Sequence, residues 1–287
     1  MPKPIRTVAK KAPPKKIKKK STSVIDRISG IEFDEDEGLC CVVYGKSGTG
    51  KTTFAGTFPG PILWIVCSAG KRPGELRSLD TPENSDRIQK VVLEKPEEML
   101  ELAEYQANED VYKTIVVDHV TAFQDLVLAQ ILDLKNIPEQ KHWGLATQQQ
   151  YGQCTLQCKE LMRPFLDLSC NRIFIAQERD FSKEESSDLI MPTVGAAVSP
   201  ALAGWLNSSC DYLVNTLIRP ETIAKKIKVG KKVKTTYEET GRVEYCLRVA
   251  PHQVYMTKFR IPKGKELPEM LVDPDYDKLY KLIKGKA

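Results

Sequence analysis

Nine consecutive residues carry the most specific chemistry in the chain: Gly45, Lys46, Ser47, Gly48, Thr49, Gly50, Lys51, Thr52 and Thr53. The first eight fit G-x-x-x-x-G-K-[ST] at every fixed position, after the apolar run Leu39–Tyr44 and before the helix-like Thr53-Phe54-Ala55. Glycines at these positions let the backbone curl around a phosphate chain, so that successive N–H groups face the anion. Lys51 then reaches the β- and γ-phosphates, and the Thr52 hydroxyl is available to Mg²⁺. The residue types point to a nucleoside triphosphate with magnesium.

A triphosphate site also needs a carboxylate behind the metal. The stretch Tyr112–Asp118 is apolar and β-branched and ends in an acid, so Asp118 is expected at the carboxyl end of a parallel strand, where open α/β sheets place ligands. An acid there can equally cap a helix, and Thr121 is placed to cap the segment Ala122–Leu134. Asn171–Glu178 reads as a further buried strand whose polar end offers Gln177, either to sense the γ-phosphate or the attacking water, or as a strand-end hydrogen bond.

The remaining elements position these groups. Ile62–Cys67 and Arg87–Val92 read as strands, Pro96–Gln106 as an amphipathic helix, and Gln148–Leu168 as a helix kinked near Pro164. From Asp211 the pattern changes to antiparallel strands at Tyr212–Ile218, Glu244–Val249 and Val254–Phe259, with a short helix over Tyr276–Ile283. Lys225–Lys234 contains six lysines alternating about Gly230, the pattern of a basic hairpin. Such a tip suits contact with a phosphate backbone, or guards a strand edge against aggregation. The expected fold is therefore an α/β domain over residues 24–287, with an antiparallel extension at about 211–262.

Of 43 basic residues, nine lie within residues 1–20, leaving 34 against 38 acidic ones, so the net charge of +5 belongs to a tail and not to the body. That tail, residues 1–23, is rich in Lys and Pro without periodicity and is expected to be disordered. It reads as an arm for nucleic acid, a nuclear-localisation-like run or a solubilising segment. No apolar run approaches the ~20 residues that span a bilayer, so the expectation is a soluble, cytoplasmic protein without a membrane partner, the tail leaving a nuclear address open. The eight cysteines mostly fall in apolar segments and read as packing. Cys154 and Cys158 could join His142 at a metal, but the spacing fits core packing better.

The order of these stretches resembles the RecA-like P-loop ATPase core, and more narrowly the phage-encoded RecA-like ATP-binding proteins, some of which act in single-strand annealing or recombination. The likeness rests on GKSGTGKT at 45–52, TIVVDHVTAF at 114–123, the helical region from Trp143 to Phe165, FIAQE at 174–178 and Tyr255–Arg260, and covers about residues 38–285. It implies an ATP-dependent protein that binds single-stranded DNA and self-associates, with Lys258 and Arg260 on a late strand reaching a neighbouring subunit's triphosphate. It also implies a glutamate just after the second core strand. Here that strand runs into Cys67-Ser68-Ala69-Gly70-Lys71, and His119 follows Asp118, so Glu75 and Glu178 are the candidates for a water-activating base. The missing glutamate keeps open a nucleotide-gated loader of a replication or recombination protein. A P-loop kinase of a small molecule is the further alternative, although residues 179–200 offer a lid only Arg179.

Overall fold

A computed structural model describes residues 38–67, 76–134, 146–181, 194–229, 232–261 and 264–284. The basic tail, Glu75 and His142 lie outside these residues. So do the side chains of 226–235, which include most of the expected basic hairpin.

The first strand, β1 (Cys40–Gly45), is buried along its whole length and leads through a loop into the short helix α1 (Lys51–Gly56). Then come β2 (Ile62–Val66), β3 (Ile88–Val92), α2 (Glu98–Glu109), β4 (Thr114–Asp118), α3 (Val120–Ile131), α4 (Gln148–Leu166) and β5 (Asn171–Asp180). The chain continues with β6 (Val194–Ala196), α5 (Pro200–Ser209), β7 (Tyr212–Val229), β8 (Lys232–Arg248), β9 (Lys258–Phe259), β10 (Met270–Val272) and α6 (Tyr276–Lys284). One sheet runs in the order β10-β8-β7-β1-β5-β4-β2-β3, with β6 on β5 and β9 on β7. The six strands from β7 to β3 in that order are mutually parallel. This is the mostly parallel α/β architecture, with antiparallel strands toward the C-terminus, expected for a RecA-like P-loop core.

Parallel strands covered by helices on both faces read as continuous apolar runs, because neither face meets water. Val42 and Tyr44 of β1 pack in a core with Phe123, Met162, Phe165 and Leu206 of the helices α3, α4 and α5. Cys41 and Val43 pack on the other face with Phe54 and Phe58 beside α1, and with Leu279 of α6. Each of the largest fully buried side chains, Trp64 and Phe123 among them, contributes roughly 1.5–3 kcal/mol by leaving water. All eight cysteines are buried and unbridged, as packing residues should be, and Cys154 Sγ lies 4.0 Å from Cys158 Sγ.

Three expectations are corrected. Tyr212 does not begin a purely antiparallel region: β7 runs parallel to β1, with Tyr44 opposite Asn215, and antiparallel to β8 and β9, while β10 on β8 and β6 on β5 are antiparallel as well. Val254–Phe259 is not one strand, because His252 Nδ1 accepts from the N–H groups of Val254 and Tyr255 and turns the chain before β9 begins. The helix after Asp118 starts at Val120 and is capped by His119, whose Nδ1 accepts from Ala122 N at 3.0 Å. Thr121 is already inside that helix, and its Oγ1 accepts from Gln177 N at 3.3 Å, tying the ends of β4 and β5 together. The segment 179–200 includes the end of β5 and all of β6.

Beyond Ile218 and Tyr245, β7 and β8 pair only with each other among the described residues, as far as Val229 and Lys232. They form a two-stranded ribbon, with a register shift between Pro220 and Thr222. No helix among the described residues is long and apolar enough to cross a membrane.

Candidate functional site

The carboxyl ends of β1, β4 and β5 meet at a cleft of about 850 Å³. Its lining includes Ser47 to Phe54, Asp118, His119 and Gln177, so the loop, the acid and the glutamine picked from the sequence share one cavity. Ser78, Tyr245, Asp273 and Pro274 complete the wall.

The loop after β1 is built for close backbone approach. Gly48 and Gly50 have φ of 80° and 88°, in the left-handed region where a side chain is strained. Gly45 is small for another reason: a Cβ there would lie 2.3 Å from Thr216 Oγ1 and 2.5 Å from Thr216 O. The loop is thereby pressed onto β7, and the Thr49 and Thr216 hydroxyls meet at 2.7 Å. Gly45 and Lys46 do not line the cleft; they supply carbonyls, to which Lys51 Nζ donates at 2.8 and 2.7 Å. Burial pulls the Lys51 pKa down, while the charges of Asp118 and Glu178 push it back up. An anion in the cleft would act in the same direction as those carboxylates, favouring the charged lysine.

Asp118 is fixed by the buried indole of Trp64, whose Nε1 donates to Oδ2 at 3.1 Å. Thr52 and Asp118 thus offer a hydroxyl and a carboxylate in one cavity. Hard oxygen donors of this number suit Mg²⁺, which takes one or two protein ligands and fills its shell with water and substrate phosphates. No group of three or more His, Cys, Asp or Glu side chains among the described residues forms a denser metal site.

The candidate bases separate. Glu75 lies outside the described residues. Glu178 alternates with Gln177 along β5 and so faces the other side of the sheet, where Asn215 Nδ2 donates to it at 3.2 Å. Asn215 in turn accepts from the buried Arg248 guanidinium at 2.8 Å. His119 stands where related sites place an acid, yet its Nδ1 is engaged as an acceptor from Ala122 N–H. The neutral imidazole therefore carries its proton on Nε2, as a donor and not a base.

Lys258 and Arg260 are not brought to this cleft. Lys258 pairs with Leu213 near the start of β7, whereas the phosphate loop meets β7 at Thr216, toward the carboxyl ends of the parallel strands. Lys258 Nζ donates to the carbonyls of Asn207, Ser208 and Cys210 at the end of α5, at 2.8, 3.2 and 2.6 Å. Arg260 pairs with Asp211 at 2.6 Å. Within the chain, the Lys258 ammonium caps the end of α5.

Sequence reasoning missed Thr216, Asn215 and Arg248, although an Asn-Thr pair inside the apolar run Tyr212–Ile218 is a visible signal of buried polar work. It also missed Tyr245 and Asp273, which belong to no motif.

No curated protein matches the chain. Among solved structures, the flagellar accessory protein FlaH from Methanocaldococcus jannaschii is similar over 83% of this chain and 85% of its own, at 10% identity and a TM-score of 0.42. The family model described as an AAA domain, AAA_24, matches residues 37–261. That match takes in the phosphate loop, Asp118, His119 and Gln177, and with the geometry of their shared cleft it makes the chain an ATP-binding member of the AAA_24 family.

Proposed function

We propose that the chain is a magnesium-dependent ATPase that self-associates and works on single-stranded DNA, in recombination, strand annealing or replication. The observation that carries this reading is the convergence of Lys51, Thr52, Asp118 and Gln177 on one cleft. Magnesium, when bound, would neutralise phosphate charge there. Thr52 and Asp118 would hold it, the loop N–H groups and Lys51 would orient the phosphates, and Gln177 would contact the terminal phosphate or the water that attacks it. DNA contact falls to the Lys-rich segment 225–234 carried by the β7–β8 ribbon, and to the basic tail. Self-association gives Arg260 a role at a neighbour's triphosphate, because Lys258 is committed to α5.

Turnover measured with and without single-stranded DNA, together with particle size under each condition, tests the reading. DNA-stimulated hydrolysis accompanied by assembly supports it; hydrolysis indifferent to DNA at every protein concentration sinks it.

A specific observation favours a second reading, a nucleotide-gated loader of a replication or recombination protein that hydrolyses ATP poorly. His119 cannot act as a base in its capped tautomer, and Glu178 faces away from α1. Tight ATP binding with turnover no higher than that of a Lys51→Ala control would select it.

A further inference from the structure

The cleft continues past the phosphate loop to a wall that no motif assigns. On that side β8 brings Tyr245 over Gly50, so close that a Cβ on the glycine would sit 3.2 Å from the tyrosine ring. Asp273 and Pro274 follow β10 and line the same cavity. Backbone pairing locks these parts together: Asp273 N donates to Tyr245 O at 2.8 Å, and Lys278 Nζ holds Asp273 O at 2.6 Å. Asp273 is in the left-handed region at φ 46°. Its carboxylate makes no hydrogen bond or ion pair among the described residues.

The chemistry of this wall differs from that of the phosphate end. A carboxylate repels phosphates, so Asp273 fits a part of the ligand that offers donors. The tyrosine ring, 42% exposed and facing the cleft, presents a flat apolar surface. A volume of about 850 Å³ exceeds what phosphates alone require and matches a pocket for a whole nucleotide-sized molecule.

We propose that Tyr245 and Asp273 form a nucleobase subsite: the Tyr245 ring stacks on the adenine of ATP, Pro274 closes the side, and the Asp273 carboxylate accepts from the exocyclic 6-amino group. The inference rests on the ATP reading and adds the residues that select the base. An amino group is a donor that a carboxylate can pair, whereas the 6-oxo group of hypoxanthine is an acceptor that it rejects. A carboxylate facing the 6-oxo group gains no hydrogen bond and meets like partial charge, so the site discriminates against that analogue although Asp273 is exposed.

The test is calorimetric binding of ATP, ITP and inorganic tripolyphosphate, with Mg²⁺, to the full chain and three variants. Wild type should bind ATP about tenfold tighter than ITP. Asp273→Gly, which suits the left-handed backbone and removes only the carboxylate, should abolish that difference. Tyr245→Ala should weaken ATP and ITP alike, by about tenfold, while Tyr245→Phe retains both affinities and shows that the ring, not its hydroxyl, is responsible. Tripolyphosphate should bind all four proteins equally. Equal affinity of wild type for ATP and ITP, or an unchanged ratio in Asp273→Gly, overturns the subsite while leaving the phosphate site in place. Wild type that binds neither nucleotide nor tripolyphosphate overturns the ATP reading itself.

Discussion

Replacing Lys258 with Met separates two roles for that residue, because the stem is kept and only the ammonium is removed. In the structure the ammonium serves three carbonyl oxygens that close α5, at Asn207, Ser208 and Cys210. Helix-end carbonyls have no partner within the helix, and a cation there also meets the negative end of the helix dipole. A hydrogen bond to a charged group contributes about 1.5–3 kcal/mol, but water can replace part of this array, so the expected loss is about 2 kcal/mol in total. For a chain of this size that corresponds to a fall of roughly 5 °C in thermal midpoint. Scanning calorimetry of Lys258→Met gives the midpoint, and turnover measured well below it gives the activity. The cap predicts a lower midpoint with turnover per folded molecule largely retained. A cation acting on a neighbour's triphosphate predicts the reverse: an unchanged midpoint and a rate lower by about 10³ or more. A midpoint within 1 °C of wild type would refute the capping argument.

Three further outcomes follow from the site and its supports. Lys51→Ala should lower ATP affinity at least about a hundredfold, the loss of more than one charge-assisted contact, with the denaturation midpoint little changed; equilibrium binding and a urea melt check both halves. Gly45→Ala should weaken binding as severely without touching a ligand, since its Cβ would force Thr216 and the loop apart; unaltered affinity would show that the loop need not rest on β7. Burial pushes the Asp125 carboxyl up to about 7 from an ordinary value of 3.8. The folded pKa lies above the unfolded one, so this group's contribution is fully present below about pH 4 and is lost as pH rises through 7. Asp125→Asn should therefore stabilise the fold by about 1–2 kcal/mol at pH 8 and flatten the profile between pH 5 and 8, and urea melts at the two pH values that leave the slope intact would disprove it.

The phosphate loop, Asp118 and Gln177 were legible because each sits at the end of a continuous apolar run, and that pattern gives both the element and its direction. The pairing of β7 was not. Tyr212, Leu213 and Val214 are buried on both faces, and a buried run does not reveal whether its neighbour is parallel. The cap of α3 was misplaced because Thr121 is the better cap by residue type, whereas imidazole acts as one here only through the backbone position that His119 takes. The work of Lys258 was invisible for a different reason: its partners lie 48 to 51 residues earlier, and only the folded chain brings them within reach. Tyr245 and Asp273 come together through backbone pairing between late strands, which no local spacing encodes.

The strand that braces the phosphate loop is also the strand that carries the ribbon. Thr216, in contact with Thr49, and Val229, at the far end, belong to the same element. At about 3.3 Å per residue the arm between them is some 43 Å long, so a tilt of about 5° at its root sweeps the outer end through roughly 4 Å. The register shift after Pro220 lies near the root, an irregularity of the kind at which strands bend. Such an arm has the geometry of a lever: a small shift of the threonine pair beside the phosphate loop would be enlarged at the far end of the strand.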